Sequence, residues 1–316
     1  MSYLARTVSD GRTVGLSDGR RVLAAVLLSV SPTVRLSGQG TVADLAVRLS
    51  AMTAVSGYEQ AVTDSLVALL PGSAKDRAGN VVLTLGRGAP KRLAVCPLDE
   101  PGYVVGNITD DGYLTLRRVG RSPNAPPPPA PPPPPWALFD QQLEGHRVTL
   151  FGRKGPVPGV VAVRSTHLQR GRPAAAEQPF TVDDAYVDVG AATRDEARAL
   201  GLDVLTPVAL TKRPLHYGTG LLAAPFAGRR AACAALAAAA LGKPKTGGTV
   251  VVAFTVQSLQ ASDAGLNSVM RLLGPFAEVT VAGVPAKFPD TAVETVALAD
   301  VETLMRRLVS WIGGGQ

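Results

Sequence analysis

The sequence predicts an α/β protein: a central, mostly parallel sheet flanked by helices and interrupted by a small β-rich, barrel-like insert. Three observations carry this. Short β-branched apolar runs alternate with helical patterns toward both ends of the chain, and a group of short strands split by turn residues lies between them. With 316 residues, the chain has core for one large or two modest domains.

Residues 1–40 are an N-terminal extension to which the sequence assigns no role. Within it, Val22–Leu28 follows Arg20-Arg21 and has the charged-then-apolar order of an export signal. It starts about twenty residues from Met1 and lacks a small-x-small cleavage site, so it reads as an ordinary strand or helix. It is also too short to cross a bilayer.

The α/β domain occupies residues 41–101 and resumes over 206–316. Val42–Leu49, Gln60–Leu70 and Arg229–Leu241 have the apolar spacing or the alanine density of packed helices. Val81–Leu85, Arg92–Cys96 and Thr249–Val256 are continuous apolar runs of the kind buried on both faces of a sheet. Residues 102–205 form the insert. Its strands are Tyr103–Val105, Tyr113–Leu116, Arg147–Phe151 and Gly159–Val163, with turns at Asp110-Asp111-Gly112 and Arg153-Lys154-Gly155-Pro156.

Inside the insert, Pro126–Pro135 is broken only by Ala130 and followed by Trp136. Such a run donates no backbone hydrogen bonds and favours polyproline II. It reads first as a stiff loop over 123–135, and second as a docking strip for an aromatic-lined groove.

The net charge of +7 is spread along the chain. The pairs Arg20-Arg21, Arg117-Arg118, Arg229-Arg230 and Arg306-Arg307 stand apart without interleaved aromatics, which argues for solvated surface charge and against nucleic-acid binding. Cys96 and Cys233 each sit in an apolar stretch and read as buried free thiols, which points to a cytoplasmic setting. Gly152-Arg153-Lys154-Gly155 and residues 242–248 lack phosphate-loop spacing and read as turns. Ser56 and Ser258 lie in no nucleophile elbow, and Ser56 reads as part of a helix-entry turn.

Several segments occur in a telling order: Ser56-Gly57-Tyr58-Glu59, Asp76-Arg77-Ala78-Gly79-Asn80, Leu93 to Gly102 with Cys96-Pro97-Leu98-Asp99-Glu100, Val187-Asp188-Val189-Gly190-Ala191, and Val284 to Glu294. Over residues 42 to 312 this order resembles the tetrahedral aminopeptidases, a metallopeptidase family that includes glutamyl, leucyl and deblocking enzymes. The resemblance implies a peptidase-like sheet domain, an insert that carries subunit contacts, and assembly into hollow oligomers.

It also implies a two-metal site, most of whose ligands are absent here. Pro97 stands where the family has the histidine of its His-x-Asp motif, and Pro225 falls in the segment of the bridging aspartate. Ser258 and Leu259 replace the adjacent glutamates that act as base and ligand. Asp290 replaces the last histidine and alone retains a ligating side chain. Asp99 persists, in the family a residue that orients the metal-bound histidine. About thirty positions separate Leu259 from Asp290, so the part expected to carry another aspartate is largely deleted, with a sheet edge left exposed.

The residues thus point to an aminopeptidase-like protein that lacks catalysis and works through binding or assembly, one form being a non-catalytic partner of an active paralogue, with no cofactor and no membrane partner. The alternative is a metallohydrolase with a rearranged zinc, cobalt or manganese site drawn from Asp99, Glu100, Asp263, Asp290 and Glu294, with His167 or His216. That reading lacks any short-spaced histidine-carboxylate motif, and His146, His167 and His216 read as surface or structural. A third reading is a proline-rich adaptor carried on a stable fold.

Overall fold

The computed structural model describes residues 40–120, 140–163, 180–260 and 263–314. Arg20-Arg21, Val22–Leu28, the proline-rich loop and His167 lie outside the described residues.

A five-stranded sheet forms the centre. Its strands are β1 (Ala74–Lys75), β2 (Val81–Gly86), β3 (Lys91–Pro97), β12 (Thr249–Thr255) and β13 (Glu278–Val281), in the order β1-β2-β12-β3-β13. Pairing is parallel among β12, β3 and β13, whereas β1 and β2 join antiparallel at one edge. Apolar β3 and β12 are buried along nearly their whole length because they lie in the middle of the sheet.

One face is covered by α1 (Val42–Ser50), α2 (Gln60–Leu69), α4 (Ala227–Leu241) and α6 (Leu298–Gly313). Thr41 starts α1 with a reciprocal capping box: its hydroxyl accepts from Asp44 N at 3.2 Å, and its own N–H donates to Asp44 Oδ2 at 2.9 Å. The alanines of α4 let this helix, buried on almost every side, pack close to α1, α6 and the sheet. The other face carries a smaller core of Leu93, Val95, Val251, Ala253 and Val269 under α5 (Ala264–Leu273). Thus α5 and β13 lie in the stretch between Leu259 and Asp290, and β13 is the exposed edge of the sheet.

The motif Asp76–Asn80 ties these parts together. Asp76 Oδ1 accepts from Ala78 N and Asn80 N, both at 2.9 Å, which closes the turn. The buried Asn80 side chain then donates to Gly265 O at 3.0 Å and accepts from Val256 N at 3.0 Å. Gly265 must be glycine here, because a Cβ would stand 2.1 Å from Val256 O.

The insert is a closed barrel of β4 (Gly102–Ile108), β5 (Leu114–Val119), β6 (Arg147–Gly152), β7 (Gly155–Val161), β8 (Tyr186–Asp188) and β9 (Pro207–Leu210), in the order β4-β5-β8-β7-β6-β9. The closing strand β9 lies beyond residue 205 and pairs with both β4 and β6. Alternate residues such as Tyr103, Leu116, Leu150 and Val187 fill the interior. Buried Asp140 accepts from Tyr103 Oη at 3.1 Å, Arg118 Nε at 2.9 Å and Val182 N at 2.9 Å, so its charge is fully compensated. A short α3 (Arg194–Ala199) follows β8, and β10 (Leu215–Tyr217), β11 (Leu221–Ala223) and β14 (Thr295–Ala297) form a separate three-stranded sheet.

Cys96 and Cys233 are joined in a disulfide, which corrects the expectation of free thiols. The apolar surroundings that suggested inert thiols also pack α4 directly across β3, bringing the two Cα atoms to 5.5 Å. The cysteines therefore give no argument for a reducing compartment. Among the described residues no helix is long and apolar enough to cross a membrane.

Candidate functional site

The parallel pairing of β3 with β12 sets Pro97 beside Thr255, so the chain leaving each strand meets at one end of the sheet. Open α/β sheets bind ligands beyond the carboxyl ends of their strands. Here that region is filled by a network of paired charges.

Asp99 is fully buried just after β3. Its Oδ1 accepts from Ser258 Oγ at 2.5 Å and its Oδ2 from Leu259 N at 2.9 Å. Arg229, in the first turn of α4, donates from Nη1 to Ser258 Oγ at 3.0 Å and to the Asp99 carbonyl at 3.1 Å. The same nitrogen is 3.8 Å from Asp99 Oδ1. Burial lowers the Arg229 pKa, and the charge of Asp99, with smaller contributions from Asp290 and Glu294, opposes that shift.

The next residue of each segment repeats the pairing more deeply. Glu100 Oε2 accepts from Arg230 Nη2 at 2.7 Å and from Lys212 Nζ, while Oε1 accepts from Ala54 N at 3.2 Å. Arg230 also donates from Nη1 to the Leu98 carbonyl. The Lys212 and Arg230 side chains are 2% and 0% exposed. Burial outweighs Glu100 and pulls the Lys212 pKa down to about 8. The Arg229-Arg230 pair is therefore internal and corrects the reading of it as solvated surface charge.

Glu294 completes the arrangement from the other side. Its Oε1 accepts from Gly228 N at 2.6 Å at the start of α4, and its Oε2 from Asp290 N at 2.9 Å. A Cβ on residue 228 would lie 2.6 Å from that Oε1, so glycine is what allows the approach. Burial raises the Glu294 pKa against these two hydrogen bonds. Pro97, Arg229, Asp290 and Glu294 line a cavity of about 290 Å³.

The sequence-derived candidates thus converge in part. Asp99 and Ser258 are in direct contact, and Pro97 and Asp290 share the cavity, while Pro225 is buried just before α4 and Leu259 contributes only its backbone N–H. Asp263 caps α5 through Leu266 N at 3.4 Å, and burial raises its pKa. His146 and His216 are exposed, before β6 and in β10. Ser56 lies in the turn before α2 without capping it and accepts from Gln260 Nε2 at 3.2 Å. Among the described residues no group of three histidine, cysteine or carboxylate side chains is placed to hold a metal ion. The donor set at the strand ends does not fit a two-metal centre: two prolines and a leucine offer no side-chain donor there, and Asp99 is engaged by Ser258 and Leu259.

A family model described as M42 glutamyl aminopeptidase matches residues 137–258. Over that segment the chain is similar to the M42 aminopeptidases. SgcX of Escherichia coli K12 is 32% identical over 190 residues, covering 58% of this chain and 46% of that protein. The lysyl aminopeptidase of Pyrococcus furiosus is 31% identical over 159 residues, covering 48% of this chain and 40% of that protein. The chain spans less than half the length of these relatives. The fold matches that of aminopeptidase APDkam598 from the archaeon Desulfurococcus kamchatkensis, with a TM-score of 0.69, 16% identity, and coverage of 87% of this chain and 95% of that one. It also matches the Pyrococcus horikoshii TET1 peptidase, which can assemble into a tetrahedron or a large octahedral shell, with a TM-score of 0.67, 19% identity, and coverage of 86% and 99%.

Arg229, Arg230 and Lys212 are the residues that sequence reasoning missed. One signal was present for the arginines: they are the only charged residues of Ala227–Leu241, a helix with no polar face to carry them into water.

Proposed function

We propose that this protein is a non-catalytic M42 relative that acts through binding or assembly. The observation that carries this reading is the Arg229 guanidinium set between Asp99 and Ser258 at the strand ends. The resemblance calls for two metal cations in this region; here internal guanidinium and ammonium groups supply positive charge beside Asp99 and Glu100. No general base stands where the family's glutamate pair would lie, because Ser258 and Leu259 occupy those positions. The barrel is the surface proposed for subunit contacts, with another copy or an active paralogue as partner.

The test is elemental mass spectrometry on natively purified protein, with cleavage of amino-acid anilides assayed alone and with added zinc, cobalt or manganese. The expected result is substoichiometric metal and no turnover. Stoichiometric metal with turnover overturns the reading. The assembly role is tested by light scattering and by co-purification with a paralogue; a monomer that retains no paralogue removes it.

A further inference from the structure

A second cavity, of about 490 Å³, opens between the α/β layer and the barrel and shares no lining residue with the Arg229 network. Small-molecule sites have such volumes and commonly lie where two structural units meet. The α2 entry contributes Tyr58 and Glu59, the end of β12 contributes Val256 and Gln257, and the barrel contributes Phe151 and Pro207.

Glu59 gives this cavity its chemistry. It is 5% exposed, and its Oε1 accepts both Gly57 N and Gln257 N at 2.9 Å. Both donors converge on one oxygen, so Oε2 has no hydrogen bond to another described residue. Lys75 is the other charged residue lining the cavity, and its ammonium is engaged by Asp64 at 2.6 Å. Glu59 is thus the acidic residue lining the cavity; burial raises its pKa against the hydrogen bonds from Gly57 N and Gln257 N, and it stands beside Tyr58, Phe151, Pro207 and Val256. Carboxylates form strong charge-assisted hydrogen bonds to N–H donors, and the faces of tyrosine and phenylalanine add attraction for a cation.

We infer that this cavity is a binding site for an organic cation, an ammonium or guanidinium on an apolar stem, with Glu59 Oε2 as its counter-charge and Tyr58 and Phe151 as its walls. The site shares no residue with the Asp99 network, so it stands or falls independently of whether that network supports catalysis.

The test is calorimetric titration of the full chain with 4-phenylbutylammonium, neutral 4-phenylbutanol and anionic 4-phenylbutyrate. The amine is expected to bind one per chain, the alcohol to bind at least about tenfold more weakly for want of the charged hydrogen bond, and the acid not to bind. Glu59→Gln should abolish the preference for amine over alcohol. Phe151→Ala, at a residue 38% exposed, should weaken both while preserving the preference. Equal binding of amine and alcohol to the unaltered protein, no amine binding at millimolar concentration, or a preference that survives in folded Glu59→Gln overturns the assignment. The probe series on the unaltered chain decides the matter even if Glu59→Gln does not fold.

Discussion

Arg229 Nη1 donates to the carbonyl oxygen of Asp99 at 3.1 Å, so the first turn of α4 is fastened to the chain leaving β3 by a charged side chain. Because the same nitrogen also reaches Ser258 Oγ, one guanidinium joins three segments distant in sequence. Replacing it with methionine leaves the buried Asp99 carboxylate without its cation. Arg229→Met is expected to cost about 2–3 kcal/mol, somewhat below the usual loss for a fully buried pair because the side chain retains partial solvent contact. Urea unfolding midpoints check this, and a midpoint within error of the parent's would refute it.

The Glu100 triad predicts an asymmetry between its two cations. Arg230→Met removes the 2.7 Å bond to Glu100 and the donor to Leu98 O together, and should cost about 3–5 kcal/mol. Lys212→Met leaves Glu100 its bonds to Arg230 and Ala54, and should cost about 1 kcal/mol or less at neutral pH. Comparable losses in denaturant unfolding would contradict the structure.

Lys212 also predicts a pH dependence. Its folded pKa of about 8 lies below its unfolded value, so between the two the unfolded chain binds a proton that the folded protein has released. The lysine's contribution to stability therefore rises with pH through this window, by at most about 1.4 kcal/mol per pH unit, and is least favourable below pH 8. Unfolding of the parent and Lys212→Met proteins between pH 7 and 10 isolates the effect, since every other group is common to both; the parent should gain on the variant as pH rises.

The disulfide spans a sequence separation of 137. Chain-entropy arguments assign such a loop about 4–5 kcal/mol. The double variant Cys96→Ala, Cys233→Ala should lose about that much in denaturant titration, whereas reductant added to the folded parent should act slowly, because the sulfurs belong to residues 1% and 0% exposed. Free thiols titrated in the unfolded, unreduced parent would show that the bond does not form.

Arg92 locks the last helix. Its guanidinium donates to the carbonyls of Trp311 and Ile312 near the end of α6 and lies 4.8 Å from the Trp311 ring centroid. Arg92→Ala should cost about 2–3 kcal/mol by freeing those carbonyls and losing the ring contact. Thermal unfolding of the variant, with near-ultraviolet dichroism reporting on Trp311, checks both parts.

Much of the fold was legible because its signals are local. β-branched runs mark β2, β3 and β12, alanine density marks α4, and glycine or aspartate turns divide the barrel strands. The neighbourhood of Asp99 and Ser258 was legible only through motif order; no spacing rule places residues 159 apart within 2.5 Å. The internal placement of Arg229, Arg230 and Lys212 was not legible. Lys212 reaches Glu100 from beyond the barrel, a long-range contact with no trace in its own flanking residues. The Cys96–Cys233 bond was hidden for the same reason: burial can be read from neighbours, but the partner is chosen by helix-on-sheet packing.

The bond between Cys96 and Cys233 begins before β4 and ends after β9, so the loop it closes contains every strand of the barrel. A single cut of the backbone anywhere inside that loop leaves both fragments covalently joined. The barrel can thus be nicked without being shed, and after a cut within the loop the two fragments stay covalently joined until the bond is reduced.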